Sequence, residues 1–159
     1  MPDLEVRVWP VLGDPTEISY ALLWKPPSDL FLSLTELEVI FSVGAGIDHL
    51  LACPTLPRNL PVVRMVESAL TLGMVEYVVY HVLRFHRRMD LYENQQRQRC
   101  WRILPQPLPS DTTVGIMGMG VLGSAAASAL QEMGFQVLGW SRTRKALPGV
   151  TSYAGVSDL

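Results

Sequence analysis

The sequence predicts an α/β protein in two parts, and three observations carry that expectation. Short apolar runs bounded by proline and glycine recur through the first third of the chain. One long stretch then repeats apolar residues every three or four positions. Towards the C-terminal end a strand, a glycine-rich turn, a helix and a second strand follow in order.

In the first part, Glu5–Trp9 alternates polar and apolar residues, the pattern of a half-buried strand. Tyr20–Trp24 is a second short strand, stopped by Pro26 and Pro27 because proline cannot donate to a ladder. Leu32–Leu37 allows one or two helical turns. A third strand, Val39–Val43, runs into the glycine loop "VGAGID", and Val62–Met65 is a fourth after the proline-rich loop 54–61. Leu72, Val75, Val79, Val82, Phe85 or His86, and Met89 mark an amphipathic helix from about Ala69 to about Gln98. "ILPQPLPSD" follows, a connector that cannot continue a helix, so the boundary is expected near residue 100, giving parts 1–100 and 101–159. The second part opens with strand Thr113–Met117, turns at Gly118, continues as a helix through about Met133, is capped by Gly134 and returns as strand Phe135–Trp140. Ser157 reads as the N-cap of a further helix, and a doubly wound sheet needs more strands, so the chain is expected to be a piece of a longer one.

The 159 residues carry a formal charge of −2, without the basic footprint of a nucleic-acid binder. Two cysteines, Cys53 and Cys100, are too few and too far apart for a disulfide framework or a zinc site, which favours a reducing, cytoplasmic setting. Residues 112–131 are uncharged, but their glycines and small residues read as a strand and a helix rather than a membrane span.

Gly118, Gly120 and Gly123 spell G-x-G-x-x-G between a strand and a helix, with Met119, Val121 and Leu122 filling the motif. The first glycine permits the tight turn, the second lets the backbone approach a pyrophosphate, and the third lets helix and sheet pack closely. The helix N-terminus adds amide donors and partial positive charge. The other reading of these glycines is a close helix contact without ligand. A P-loop is excluded because no lysine follows Gly123. At the end of the next strand, where an NAD enzyme places a carboxylate on the ribose hydroxyls, stands Ser141, followed by Arg142, Thr143, Arg144 and Lys145. Such cations pair with the 2′-phosphate that a carboxylate would repel, so the turn points to NADP(H) over NAD(H). The loop Val43, Gly44, Ala45, Gly46 ends a strand and offers backbone amides to an anion such as a substrate carboxylate, or is merely a turn. His49, His81 and His86 lack an HExxH arrangement, and no Gly-x-Ser-x-Gly elbow exists.

The stretches "FSVGAGIDHL", "GMVEYVVYHVLRFHRRMDLYENQQRQRCW", "TVGIMGMGVLGSAAASALQEMGFQVLGWSRTRK" and "PGVTSYAG" together resemble the D-isomer specific 2-hydroxyacid dehydrogenases, most of all their glyoxylate/hydroxypyruvate reductase A branch. The resemblance implies a partial flavodoxin-like substrate domain followed by the first β-α-β of a Rossmann domain. It implies NADPH-dependent reduction of a 2-oxo acid to a D-2-hydroxy acid, and a homodimer in which the long helix takes part. By the same resemblance, Val43–Gly46 is the substrate-carboxylate loop, Trp24 lines the substrate pocket, Met74 lies beside the nicotinamide, and Ser141–Lys145 form the 2′-phosphate site. Family members also begin with a strand and helix ahead of "LEVRVWP", and their catalytic arginine, acid and histidine lie beyond the sequence matched here. No residue is therefore assigned those roles, the chain alone is expected to be inactive, and its unfinished sheets to leave it marginally stable. A non-catalytic dinucleotide-binding or interaction module is the competing expectation.

Overall fold

The computed structural model describes residues 4–158; the chain ends Met1 and Leu159, whose status the sequence raises, lie outside the described residues. These fold into two compact units that divide between Val66 and Glu67.

In the first unit β1 (Tyr20–Leu23), β2 (Val39–Ser42) and β3 (Val62–Arg64) form a parallel sheet in that order, with Ile40 opposite both Ala21 and Val62. Period-two geometry sends Ile40 and Ser42 to one buried face of β2. Ile40 and Leu50, both fully buried, centre a core closed by Ala21, Leu30, Phe31, Leu34, Leu37, Cys53 and Leu56. Leu50 comes from the single-turn helix α1 (Asp48–Leu51). The strand expected at Glu5–Trp9 does not form. Val6 and Val8 stay exposed, and Arg7 holds the segment as a loop through Glu5, Glu17 and the carbonyls of Leu12 and Asp14. Alternation specifies a strand only where a neighbour supplies the ladder, and Val8 finds only an isolated bridge to Val11.

The second unit begins with α2 (Ser68–His86), whose first turn is capped by the Glu67 carboxylate accepting from the amides of Ala69 and Leu70. The expected single helix is broken: Arg88 adopts φ 55°, and α3 (Met89–Arg97) starts in a new direction. The apolar repeat runs through this elbow, so periodicity alone cannot reveal it. Arg84 clamps the elbow with two 2.6 Å hydrogen bonds to Glu93 and holds that carboxyl below its ordinary range. Between the two residues left open by the pattern, the structure buries His86 and exposes Phe85. The His86 ring stands edge-on to Phe135, centroids 4.9 Å apart, with Nδ1 3.2 Å from the Thr112 hydroxyl.

β4 (Thr113–Met117), α4 (Val121–Glu132), β5 (Gln136–Ser141) and β6 (Thr151–Ala154) complete the unit as a parallel sheet ordered β4-β5-β6. α4 closes at Gly134 with φ +89°, as its C-terminal glycine requires. Val78, Val79, Val82 and Leu83 of α2 pack on the core of Met119, Ala127, Leu130, Phe135 and Val137. This moves the compact division from the expected position near residue 100 to Val66/Glu67. The proline connector bars a continuing helix, but burial of the α2 stripe against α4 decides which unit the helix joins. Leu130 is fully buried there, so Leu130→Ala is expected to cost about 2–5 kcal/mol, read as a lowered urea midpoint.

Candidate functional site

Two constellations come out of these folds, one in each unit. In the second, β4 ends and the chain turns through Gly118 at φ +112°, where a side chain would be strained. The Gly118 amide donates to the Trp140 carbonyl at 2.7 Å, tying the turn to β5. A Cβ at Gly118 or Gly120 would meet nothing, so the loop leaves open space on that side. A Cβ at Gly123 would collide with the Gly118 carbonyl oxygen. The third glycine is thus required by packing, and the first two leave a cradle.

α4 starts at Gly120 without a side-chain cap and without an acidic residue in its first turn. Its leading N–H groups, on Val121 and Leu122, therefore have no side-chain acceptor among the described residues, the arrangement that suits an anion. Met119 folds the other way and is buried under β5. Gly139 makes room for it: a Cβ there would sit 2.7 Å from the Met119 sulfur. Gly139 was not singled out in the sequence, although a glycine inside a strand signals close approach by a neighbouring group.

The basic turn leaves the end of β5 next to this cradle. Ser141 is buried, and its hydroxyl donates to the Thr143 carbonyl at 2.7 Å, folding the turn back on itself. Arg142 and Lys145 are exposed and have no partner among the described residues. Arg144 is engaged: Nη1 donates to the Ser152 carbonyl at 2.9 Å and Nη2 lies 3.5 Å from the Asp158 carboxylate. β6 and its following turn are the part the sequence reading missed. They are bound to β5 through Trp140 Nε1, which donates to the Gly155 carbonyl at 2.8 Å, and through the Gly155 amide, which donates to the Ser141 carbonyl at 3.2 Å. Met74, expected beside the cofactor, lies on α2 and is not among the residues packed on Met119.

In the first unit the loop after β2 is drawn together by Ser42, whose hydroxyl accepts from the Gly44 amide at 3.2 Å and donates to the Gly46 carbonyl at 3.3 Å. The Val43 amide donates to the Leu23 carbonyl. Two of the four amides expected to form the anion nest are therefore already used, and Ala45 and Gly46 supply the donors that lack a protein partner among the described residues. Trp24, half-exposed at the end of β1, lies directly on Gly44, where any Cβ would overlap the indole. His49 stacks on the same indole with centroids 4.6 Å apart, and its Nε2 is buried without a partner. Among the described residues none of His49, His81 and His86 is paired with a carboxylate. Among the described residues no group of three metal-binding side chains forms, and no helix is long and apolar enough to cross a membrane.

Comparison with known proteins places relatives on both units. The family model for the NAD-binding domain of D-isomer specific 2-hydroxyacid dehydrogenases matches residues 79–157. That match begins inside α2, as the packing of this helix on α4 would suggest. Glyoxylate/hydroxypyruvate reductase A of Yersinia enterocolitica is 43% identical over all of this chain and 52% of its own length. A D-isomer specific 2-hydroxyacid dehydrogenase from Xanthobacter autotrophicus, solved with NADPH and MES, superposes with a TM-score of 0.85 at 40% identity, over 92% of this chain and 46% of that one. The NADPH-dependent glyoxylate/hydroxypyruvate reductase of Sinorhizobium meliloti, solved with NADP and sulfate, gives 0.80 at 46% identity over 88% and 44%. The chain spans about half the length of the relatives it matches.

Proposed function

Because this chain belongs to the D-isomer specific 2-hydroxyacid dehydrogenase family, we propose that it carries the cofactor cradle and substrate-carboxylate loop of an NADPH-dependent 2-oxo acid reductase. The substrates that fit this reading are glyoxylate and hydroxypyruvate, reduced to glycolate and D-glycerate, as the names of its relatives suggest. The observation that carries it is the pairing of an uncapped α4 N-terminus with a basic turn in which serine replaces the carboxylate.

In this reading the amides of Val121 and Leu122 and the open faces of Gly118 and Gly120 receive the pyrophosphate. Arg142 and Lys145 hold the 2′-phosphate through charge-assisted hydrogen bonds, and Ser141 presents no opposing charge. Met119 positions the loop from below. Ala45 and Gly46 orient the substrate carboxylate against the Trp24 indole, and Met74 stands by the nicotinamide. When bound, the cofactor supplies the hydride. A bound substrate also needs a cation polarising its carbonyl and an acid delivering a proton to the forming alkoxide. Among the described residues no histidine has the carboxylate partner such an acid requires, so in this reading the chain by itself binds without turning over. The cytoplasm and a homodimer of the whole protein belong to the same proposal.

Incubating the purified chain with NADPH and glyoxylate or hydroxypyruvate tests it by the absorbance of the reduced cofactor. The expected rate is indistinguishable from the blank. A sustained turnover of ordinary enzymatic size, above about 1 per second, would refute the reading that these residues bind cofactor and substrate without supplying the acid–base pair.

A further inference from the structure

We propose that Asp158 is a positioning residue for cofactor selection, holding Arg144 across the ends of β5 and β6 so that Arg142 and Lys145 face the 2′-phosphate. This rests on the reading above that the turn receives NADP(H), and it divides that turn's three cations into two roles.

Asp158 is itself fixed: the same Oδ2 that faces Arg144 accepts the Ala154 amide at 2.9 Å. Arg144 reaches back from the turn to this carboxylate and to the Ser152 carbonyl, so one side chain spans from the turn to β6. Between Ser141 and Leu147 every residue is exposed. Among the described residues two side chains restrain that segment, the Ser141 hydroxyl from within and the Arg144 clasp to Ser152 and Asp158. A phosphate ligand on such a segment loses affinity when the segment must be ordered at the moment of binding. Arg142 has no anchor of its own among the described residues, so its readiness for the phosphate depends on the clasp two residues away.

Removing Asp158 would also free the charge of Arg144 and remove a negative group near the phosphate, which acts in the opposite direction. Arg144 is 68% exposed, however, so that charge is screened by solvent and salt. Ordering of the turn is the larger effect.

NADPH and NADH affinities of the chain and of Asp158→Asn, Asp158→Glu, Arg144→Met and Asp158→Asn/Arg144→Met test the proposal. Asn keeps an oxygen for the Ala154 amide while removing the charge, and NADH binding reports whether the fold survives. Asp158→Asn is expected to weaken NADPH by about two- to fivefold, the range of one partly exposed ion pair, and leave NADH unchanged. Asp158→Glu is expected to retain the preference, and the double variant to be no weaker than Arg144→Met. Tighter NADPH binding in Asp158→Asn would show that the carboxylate restrains Arg144 from the phosphate, and would overturn the proposal. So would unchanged NADPH affinity, or an equal fall for both cofactors. If the unsubstituted chain fails to distinguish NADPH from NADH, the underlying cofactor reading fails and this inference falls with it.

Discussion

Gly123→Ala is expected to abolish dinucleotide binding, lowering NADPH affinity by about a hundredfold or more. The added methyl would overlap the Gly118 carbonyl oxygen, and neither side of that contact is a side chain able to rotate away. Relief requires α4 to move from the loop, which misplaces the amides of Val121 and Leu122 and disturbs the seat of Met119. Gly120→Ala is the informative companion, because its methyl would meet nothing in the protein. It should leave the urea midpoint unchanged and still weaken NADPH, since the space it fills is the space assigned to the pyrophosphate. Isothermal titration with NADPH, alongside denaturation of both variants, checks the pair. If Gly120→Ala binds as well as the unsubstituted chain, the open side of the loop is not where the cofactor lies.

Arg142→Ala is the second large effect. This guanidinium is exposed, unpaired among the described residues, and fixed in sequence next to Ser141, the residue that ends β5. A charged hydrogen bond to phosphate is worth about 1.5–3 kcal/mol, so NADPH should bind about ten- to a hundredfold more weakly. NADH carries no 2′-phosphate and should be unaffected, which separates loss of a phosphate contact from loss of fold. Measuring both cofactors with the same preparation distinguishes the two, and a matching fall for NADH would remove Arg142 from the specificity role.

How much of this was legible in the sequence follows from the range over which each signal acts. The glycine motif, β4, α4 with its Gly134 stop, and β5 were readable because turn chemistry, periodicity and capping are local. The basic turn was readable for the same reason. What escaped depends on partners remote in sequence. Glu5–Trp9 has a strand's alternation but, among the described residues, no neighbouring strand to pair with, and Arg7 claims the backbone instead. The elbow at Arg88 interrupts an unbroken apolar pattern, and its clamp joins Arg84 to Glu93. β6 is short, and the tie from Trp140 to Gly155 that sets it beside β5 cannot be inferred from spacing. Likewise the residue types of the turn did not reveal that Arg144 is occupied by Asp158 and Ser152 while Arg142 is not. Nor did the glycines of the Val43–Gly46 loop show that Ser42 and Leu23 already hold two of its amides.

The claim that joins the cradle to the basic turn is that this chain selects a 2′-phosphorylated dinucleotide. Its most direct test is the pair of dissociation constants for NADPH and NADH, measured on the unsubstituted chain at one moderate ionic strength. NADPH is expected to bind about ten- to a hundredfold more tightly. Equal affinities, or tighter NADH, would contradict the assignment of Ser141–Lys145 to the 2′-phosphate.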